Sequence, residues 1–209
     1  LDPVFDGTRI VQISDIHMDN HWMNGKRLNQ IVHKIEQQDP DIVAITGDLI
    51  DYDPVSASPS LIEPFTALGS QHPTFVVLGN HDYWVDSQPV KDALAKTPTE
   101  ERANRVYTLT KEGANLHIAG IDDVWMERDR LDLVLDQLPD DGAAIVLVHE
   151  PDFADKTAAT GRFDLSLSGH SHGGQVRIPF SGAPVLPAYA KRYPLGRYPV
   201  GNMVHYTDR

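Results

Sequence analysis

Residues 41–49 read DIVAITGDL, a run of apolar and largely β-branched side chains that ends in a glycine and an aspartate. An apolar run without polar alternation belongs to a strand covered on both faces, as in a parallel sheet. Two more segments have the same form. Residues 8–17, TRIVQISDIH, lead from an apolar stretch into Asp15 and His17, and residues 73–82, PTFVVLGNHD, lead into Asn80, His81 and Asp82. Helical spacing lies between them, over residues 25–37 through Leu28, Ile31, Val32 and Ile35, and again over residues 60–68. Strands alternating with helices point to an α/β fold.

The second half continues the alternation. Residues 91–96 read as helical, and residues 105–109 and 115–121 as strands joined by Lys111, Glu112 and Gly113. A helix over 130–138 is stopped by Pro139; strands follow at 143–149, 164–168 and 175–178. There is no internal repeat and no low-complexity tract. Residues 179–199 differ in composition, with five prolines, three tyrosines and the cations Lys191, Arg192 and Arg197. They read as a rigid, irregular flap over a sheet end, or as a substrate-facing flap whose cations meet a phosphate or polar head group.

Composition narrows the chemistry. The net charge of −12 gives no electrostatic help in gathering nucleic acid, and no nucleic-acid-binding patch is evident. The chain has no cysteine, so disulfides, thiolate metal sites and cysteine nucleophiles are absent, and any metal must take nitrogen and oxygen ligands. No apolar run reaches the length of a membrane span. The first strand starts close to Leu1, and a processed or anchoring segment ahead of it is the expectation.

The placement of polar residues is regular. Asp15 and His17 follow the first strand, Asp48 the second, and Asn80, His81 and Asp82 the third. His149 ends a later strand; His170 and His172 follow the next. Ligands of open α/β sheets bind beyond the carboxyl ends of strands, so five strand ends deliver these residues to one place. Asp15 and His17 are two apart, as are His170 and His172, so each pair shares a face if the backbone is extended. Gly47 and Gly79 let the chain turn sharply ahead of Asp48 and Asn80. Imidazole, carboxylate and amide oxygen together suit Mn, Fe or Zn. Of the ten histidines, His21, His33, His72, His117 and His205 lack such a setting, and only His21 is near enough in sequence to support the site.

The ordered motifs SDIH, GDL, GNHD, a strand-terminal histidine and GHSH resemble the calcineurin-like metallophosphoesterases from about Arg9 to Arg177. The longer wording SGHSHGGQVRIP, with HEPD and a proline-rich tail, looks like the YkuE/YaeI-type bacterial branch. The resemblance implies one domain over residues 1–209, folded as a four-layer α/β/β/α sandwich of two mixed sheets flanked by helices. It implies two divalent ions per chain, Mn first, with Fe, Zn or a mixed pair as alternatives. Asp15, His17 and His172 would hold one ion, Asn80, His149 and His170 the other, and Asp48 would bridge them. A hydroxide shared by the ions would attack phosphorus in line. His81 would stabilise the transition state or protonate the leaving oxygen. Asp82 would orient His81, unless it caps a turn.

The implied activity is hydrolysis of phosphate esters, with phosphodiesters preferred. The alternatives are a lipid-linked or nucleotide-sugar pyrophosphatase, a phosphomonoesterase and a non-catalytic scaffold. The branch also implies membrane association or export through a segment outside these residues. Two departures from the family pattern are a short polar connection over 95–105 and an end at Arg209, where a further loop and strand are expected.

Overall fold

The computed structural model describes residues 2–176, 178 and 183–209. The three apolar runs that precede the acidic and amide residues form β1 (Ile10–Ile13), β2 (Ile42–Thr46) and β3 (Thr74–Val77). With the short β4 (Glu100–Glu101) they pair in that order as a four-stranded sheet. This sheet is parallel throughout rather than mixed. The reason lies in the connections, since a parallel neighbour is reached only by a crossover. Here α1 (Gly25–Glu36) follows β1, α2 (Pro54–Ala57) and α3 (Pro59–Gln71) follow β2, and α4 (Asn80–Trp84) and α5 (Ser87–Leu94) follow β3. The short polar connection after α5 supplies β4, whose Glu100 and Glu101 pair with Phe75 and Val76.

The second sheet is mixed. It takes β5 (Arg105–Lys111), β6 (Ala114–Gly120), β7 (Ala143–Leu147), β8 (Leu165–Ser168), β9 (Gly196–Val200) and β10 (Met203–Thr207), in the order β5-β6-β7-β8-β10-β9. β6, β7, β8 and β10 run parallel, with α6 (Leu131–Gln137) and α7 (Ala154–Ala159) in the crossovers between β6 and β8. The antiparallel members are the two edge strands. Of the strand expected over 175–178, Gln175 and Val176 both lie in a bend, and Arg177 lies outside the described residues. The end of the proline-rich segment is itself a strand, β9, with Pro199 on the sheet edge, where a missing N–H is harmless.

Alternation along the strands separates three cores. Ile42 and Ala44 of β2 face Leu116, Ile118, Ile145 and Leu147 of the second sheet across a central layer that also holds Phe75 and Val77. The intervening Val43 and Ile45 face the helices with Leu28, Val32, Leu61 and Phe65. Ala144 and Val146 of β7 turn outward to Val134, Phe153 and Met203. Helices, sheet, sheet and helices thus form four layers. No helix among the described residues is long and apolar enough to cross a membrane.

Phe75 is fully buried between the sheets, with its ring centroid 5.0 Å from that of Tyr107. Phe75→Ala is expected to cost about 3–5 kcal/mol, because the two pleated faces cannot close over the lost ring. Urea unfolding of the two proteins measures it.

Candidate metal centre

The loops that leave β1, β2 and β8 are not extended. Asp15, His17, Asp48, His170 and His172 all have positive φ, between 47° and 69°, so the extended backbone assumed for the spaced pairs is replaced by left-handed residues, and His170 and His172 join different donor groups. Each such residue costs roughly 1–2 kcal/mol without compensation. Hydrogen bonds hold them: Asp15 N–H donates to Gly47 O at 3.0 Å, His17 N–H to Asp48 O at 3.0 Å, and Met18 N–H to Leu49 O at 2.8 Å. Gly47 itself has φ of 94°, and a side chain there would strike the His149 ring. A Cβ on Gly79 would strike the Asp48 carboxylate and the same ring. Both glycines are therefore required by close approach around Asp48 and His149.

These loops and the end of β7 bring six donors together in two groups that share Asp48, and a third group joins His17, Asp51 and His81. The first joins Asp15, His17, Asp48 and His172; the second joins Asp48, His149 and His170. In the first, His17 Nε2 lies 3.1 Å from His172 Nε2, which is 3.3 Å from Asp15 Oδ1. In the second, His149 Nε2 is 3.2 Å from both Asp48 Oδ2 and His170 Nδ1. Asp48 Oδ2 also lies 3.7 Å from His17 Nε2. Two donors each about 2.1 Å from one ion, at tetrahedral or octahedral angles, stand about 3.0–3.4 Å apart.

Tautomers and burial sharpen the fit. The His149 Nδ1–H donates to Thr46 O at 2.7 Å, and the His170 Nε2–H donates to Ala188 O at 2.8 Å. In the neutral form that a metal ligand takes, each ring turns a lone pair toward the other across 3.2 Å, the arrangement that suits a shared cation; without one, a proton on His149 Nε2 occupies that gap. Asn80 Oδ1 is buried and has no hydrogen-bond partner. Burial lowers His149, yet Asp48 outweighs it and holds this imidazole well above its ordinary value. Burial, then the charge on His149, pushes His170 down to about 4. Burial acts to raise Asp48, but His149 and His17 hold it below the usual carboxylate range. The residues fit divalent cations.

Asp82 is a cap. Its carboxylate accepts from the amides of Leu49, Ile50 and Gly79 at 2.9–3.0 Å, and burial followed by Asp48 raises it to about 7. The neighbour of the His81 ring is instead Asp51, with Oδ1 3.4 Å from His81 Nδ1 and 3.7 Å from His17 Nδ1. The His81 N–H donates to Asp48 Oδ1 at 2.9 Å, which fixes the backbone beside the donor groups. His21 is exposed and does not line the site.

A cleft of about 1050 Å³ opens over the donors. Beside them it is lined by Asp19, Asp51 and the aromatic residues Trp22, Tyr52, Trp84 and Trp125, none of which stands out in the sequence as a site residue. A usable signal is that each follows a strand end within a few residues of a polar motif. From the flap come Pro184, Val185 and Pro187, not cations. Arg192 pairs with Asp155, and Arg197 lines a separate depression beside β1 and β10. Among the described residues no lysine or arginine lines the cleft.

Comparison with known proteins agrees with this layout. The calcineurin-like phosphoesterase family model matches residues 8–174. The uncharacterized metallophosphoesterase YkuE of Bacillus subtilis is 33% identical over 98% of this chain and 72% of its own length. Phosphodiesterase YaeI of Escherichia coli is 27% identical over 96% of this chain and 74% of its own. A 5′-nucleotidase precursor from Thermus thermophilus superposes with a TM-score of 0.55 at 12% identity, over 96% of this chain. The NAD nucleotidase of Haemophilus influenzae gives 0.53 at 14%, over 95%. This chain spans about half of those two structures, covering 48% and 49% of them, and the likeness is one of fold. Matched along most of its length, and with carboxylate, amide and imidazole donors gathered at the strand ends, the chain belongs to the calcineurin-like phosphoesterase family.

Proposed function

We infer that the chain is a phosphodiesterase that works with two divalent ions, Mn first among them. One would be held by Asp15, His17 and His172, the other by Asn80, His149 and His170, with Asp48 shared. The observation that carries this reading is the position of Asp48 Oδ2, 3.2 Å from His149 Nε2 and 3.7 Å from His17 Nε2. Bound there, such ions activate water and neutralise charge on phosphoryl oxygens. The chain's own part is placement. Asp15 is fixed by the His170 amide, which donates to both its carboxylate oxygens at 3.0–3.1 Å. His81, outside the two donor groups, is read as the proton donor to the leaving alcohol. Asp51 holds its Nδ1 side and leaves Nε2 for the substrate. The 209 residues are read as one catalytic domain.

Charge favours diesters over monoesters. A monoester dianion gains from a side-chain cation at the pocket end, whereas beyond the donors assigned to the ions the described lining offers Asp19 and Asp51 and no lysine or arginine. A diester carries a single charge and needs room on both sides of phosphorus, which an open cleft of about 1050 Å³ provides. YaeI, a relative over most of the chain, is named a phosphodiesterase.

Metal analysis alongside hydrolysis of an aryl phosphodiester and the matching monoester, with and without Mn²⁺, tests the reading. Two ions per chain and faster diester cleavage are expected; a chain that takes up no divalent ion would refute it. Asp48→Asn should lower metal content and abolish turnover. His81→Ala should keep its metal and lose roughly 10²–10⁴-fold in kcat; loss of metal instead would remove His81 from its role. Gly79→Ala, which drives a methyl group into Asp48 and His149, should lose the rise in melting temperature that Mn²⁺ gives the parent protein.

A further inference from the structure

All three tryptophans of the chain, Trp22, Trp84 and Trp125, line the metal cleft, and none belongs to the three cores. Tryptophan has a large apolar area to gain from burial, so leaving it at an open mouth is unfavourable unless a ligand covers it. Trp22 is 73% exposed and Trp84 48%. Trp22 is also fixed in place. The Asp19 carboxylate accepts from the amides of His21 and Met23 at 2.9 and 2.8 Å, and the Arg27 guanidinium lies 4.6 Å from the Trp22 ring centroid. The same cleft carries Val176 and Val185, 68% and 78% exposed. Five of the eleven exposed large apolar side chains among the described residues, Tyr52 being the fifth, therefore surround one opening.

The chemistry of the lining selects the occupant. Valine and proline present no π-face, so the wall formed by Val176, Pro184, Val185 and Pro187 suits a flexible hydrocarbon better than a stacked base. Beyond Asp15 and Asp48, which are assigned to the ions, the described lining adds Asp19 and Asp51 and no lysine or arginine, so a second anionic group is disfavoured. We propose that the mouth of the cleft is a subsite for a hydrocarbon group. The substrate is an amphiphilic phosphodiester whose retained alcohol carries an alkyl chain against Trp22, Trp84, Val176 and Val185. Its phosphate reaches the donors at the floor. Hydrolysis adds water across the P–O bond to the leaving alcohol, giving that free alcohol and an alkyl phosphate monoester. The substrate class rests on the phosphodiesterase reading; the apolar subsite is separable from it.

The test uses the Mn²⁺-loaded protein and p-nitrophenyl phosphodiesters whose second ester is methyl, butyl or octyl, each below its micelle concentration. A p-nitrophenyl thymidylate diester is the nucleoside comparison. At least a tenfold rise in kcat/KM from methyl to octyl is expected, carried by KM. In the Trp22→Ser/Val185→Ser double variant the dependence on chain length should flatten. In parallel, tryptophan fluorescence is titrated with octylphosphonate and methylphosphonate, and at least tenfold tighter binding of the octyl compound is expected. Equal kcat/KM for methyl and octyl diesters overturns the subsite and leaves the phosphodiesterase reading intact. A nucleoside diester preferred over octyl overturns it in favour of base stacking. A gain seen only when the octyl diester is embedded in phosphatidylcholine vesicles overturns it in favour of surface adsorption. Tight octylphosphonate binding with no diester cleaved supports the subsite and refutes the phosphodiesterase reading. No difference between the phosphonates, together with no cleavage, refutes both.

Discussion

A carboxylate buried at the strand ends demands positive charge, and Asp48, at the floor of the cleft, is almost wholly inaccessible to solvent. One oxygen takes the His81 amide and the other faces His149 and His17. Taking an isolated carboxylate out of water costs several kcal/mol even after relaxation, so the imidazoles and the cations they can gather are part of what lets the loop fold as it does. Much of the local architecture follows from that need. Gly47 and Gly79 exist as bare backbone because any Cβ would enter the space that Asp48 and His149 share. Asp82 sits behind them, drawing the amides of Leu49, Ile50 and Gly79 into one cap. The left-handed residues on both sides of the site store strain that the cross-loop hydrogen bonds repay.

The frame was legible in the sequence where burial leaves a one-dimensional trace. β2, β3 and β7 are buried at every position and apolar at all but Thr46 and Thr74, because both faces are covered, and α1 shows its stripe through Leu28, Val32 and Ile35. The donor set was legible for a related reason, since strand ends are marked by the apolar runs before them. β9 and β10 were not. GRYPV and MVHYT alternate small, aromatic and polar residues next to a proline-rich segment, and β9 is an edge strand whose one uncovered side removes the need for apolar continuity.

Neighbourhood in sequence misled where geometry is decided by the turn. Asp82 adjoins His81 in the chain, yet the first turn of α4 swings its carboxylate inward, while Asp51, from the β2 loop, reaches the His81 ring. The extended spacing assumed for Asp15 and His17 failed similarly, because left-handed backbone can also place alternate residues side by side. The tryptophans left only a weak signal, their place after a strand end near a polar motif: a single aromatic residue there reads as core until the fold shows that no core lies beneath it.

Floor and mouth of the cleft come from the same segments. The loop with Asp15 and His17 continues to Trp22, that with Asp48 and Asp51 to Tyr52, and α4 runs from Asn80 and His81 to Trp84. Trp125 is tied in differently. Glu150, directly after His149, accepts the amides of Val124 and Trp125 at 3.1 Å, and burial, then the charge on Glu150, raises Asp123 to about 9. Donors and apolar walls are thus carried on shared segments, so strain on one has a short covalent route to the other. Contacts made far from phosphorus can then help to set the geometry at phosphorus, which is how binding energy remote from a reacting bond becomes available to lower its barrier.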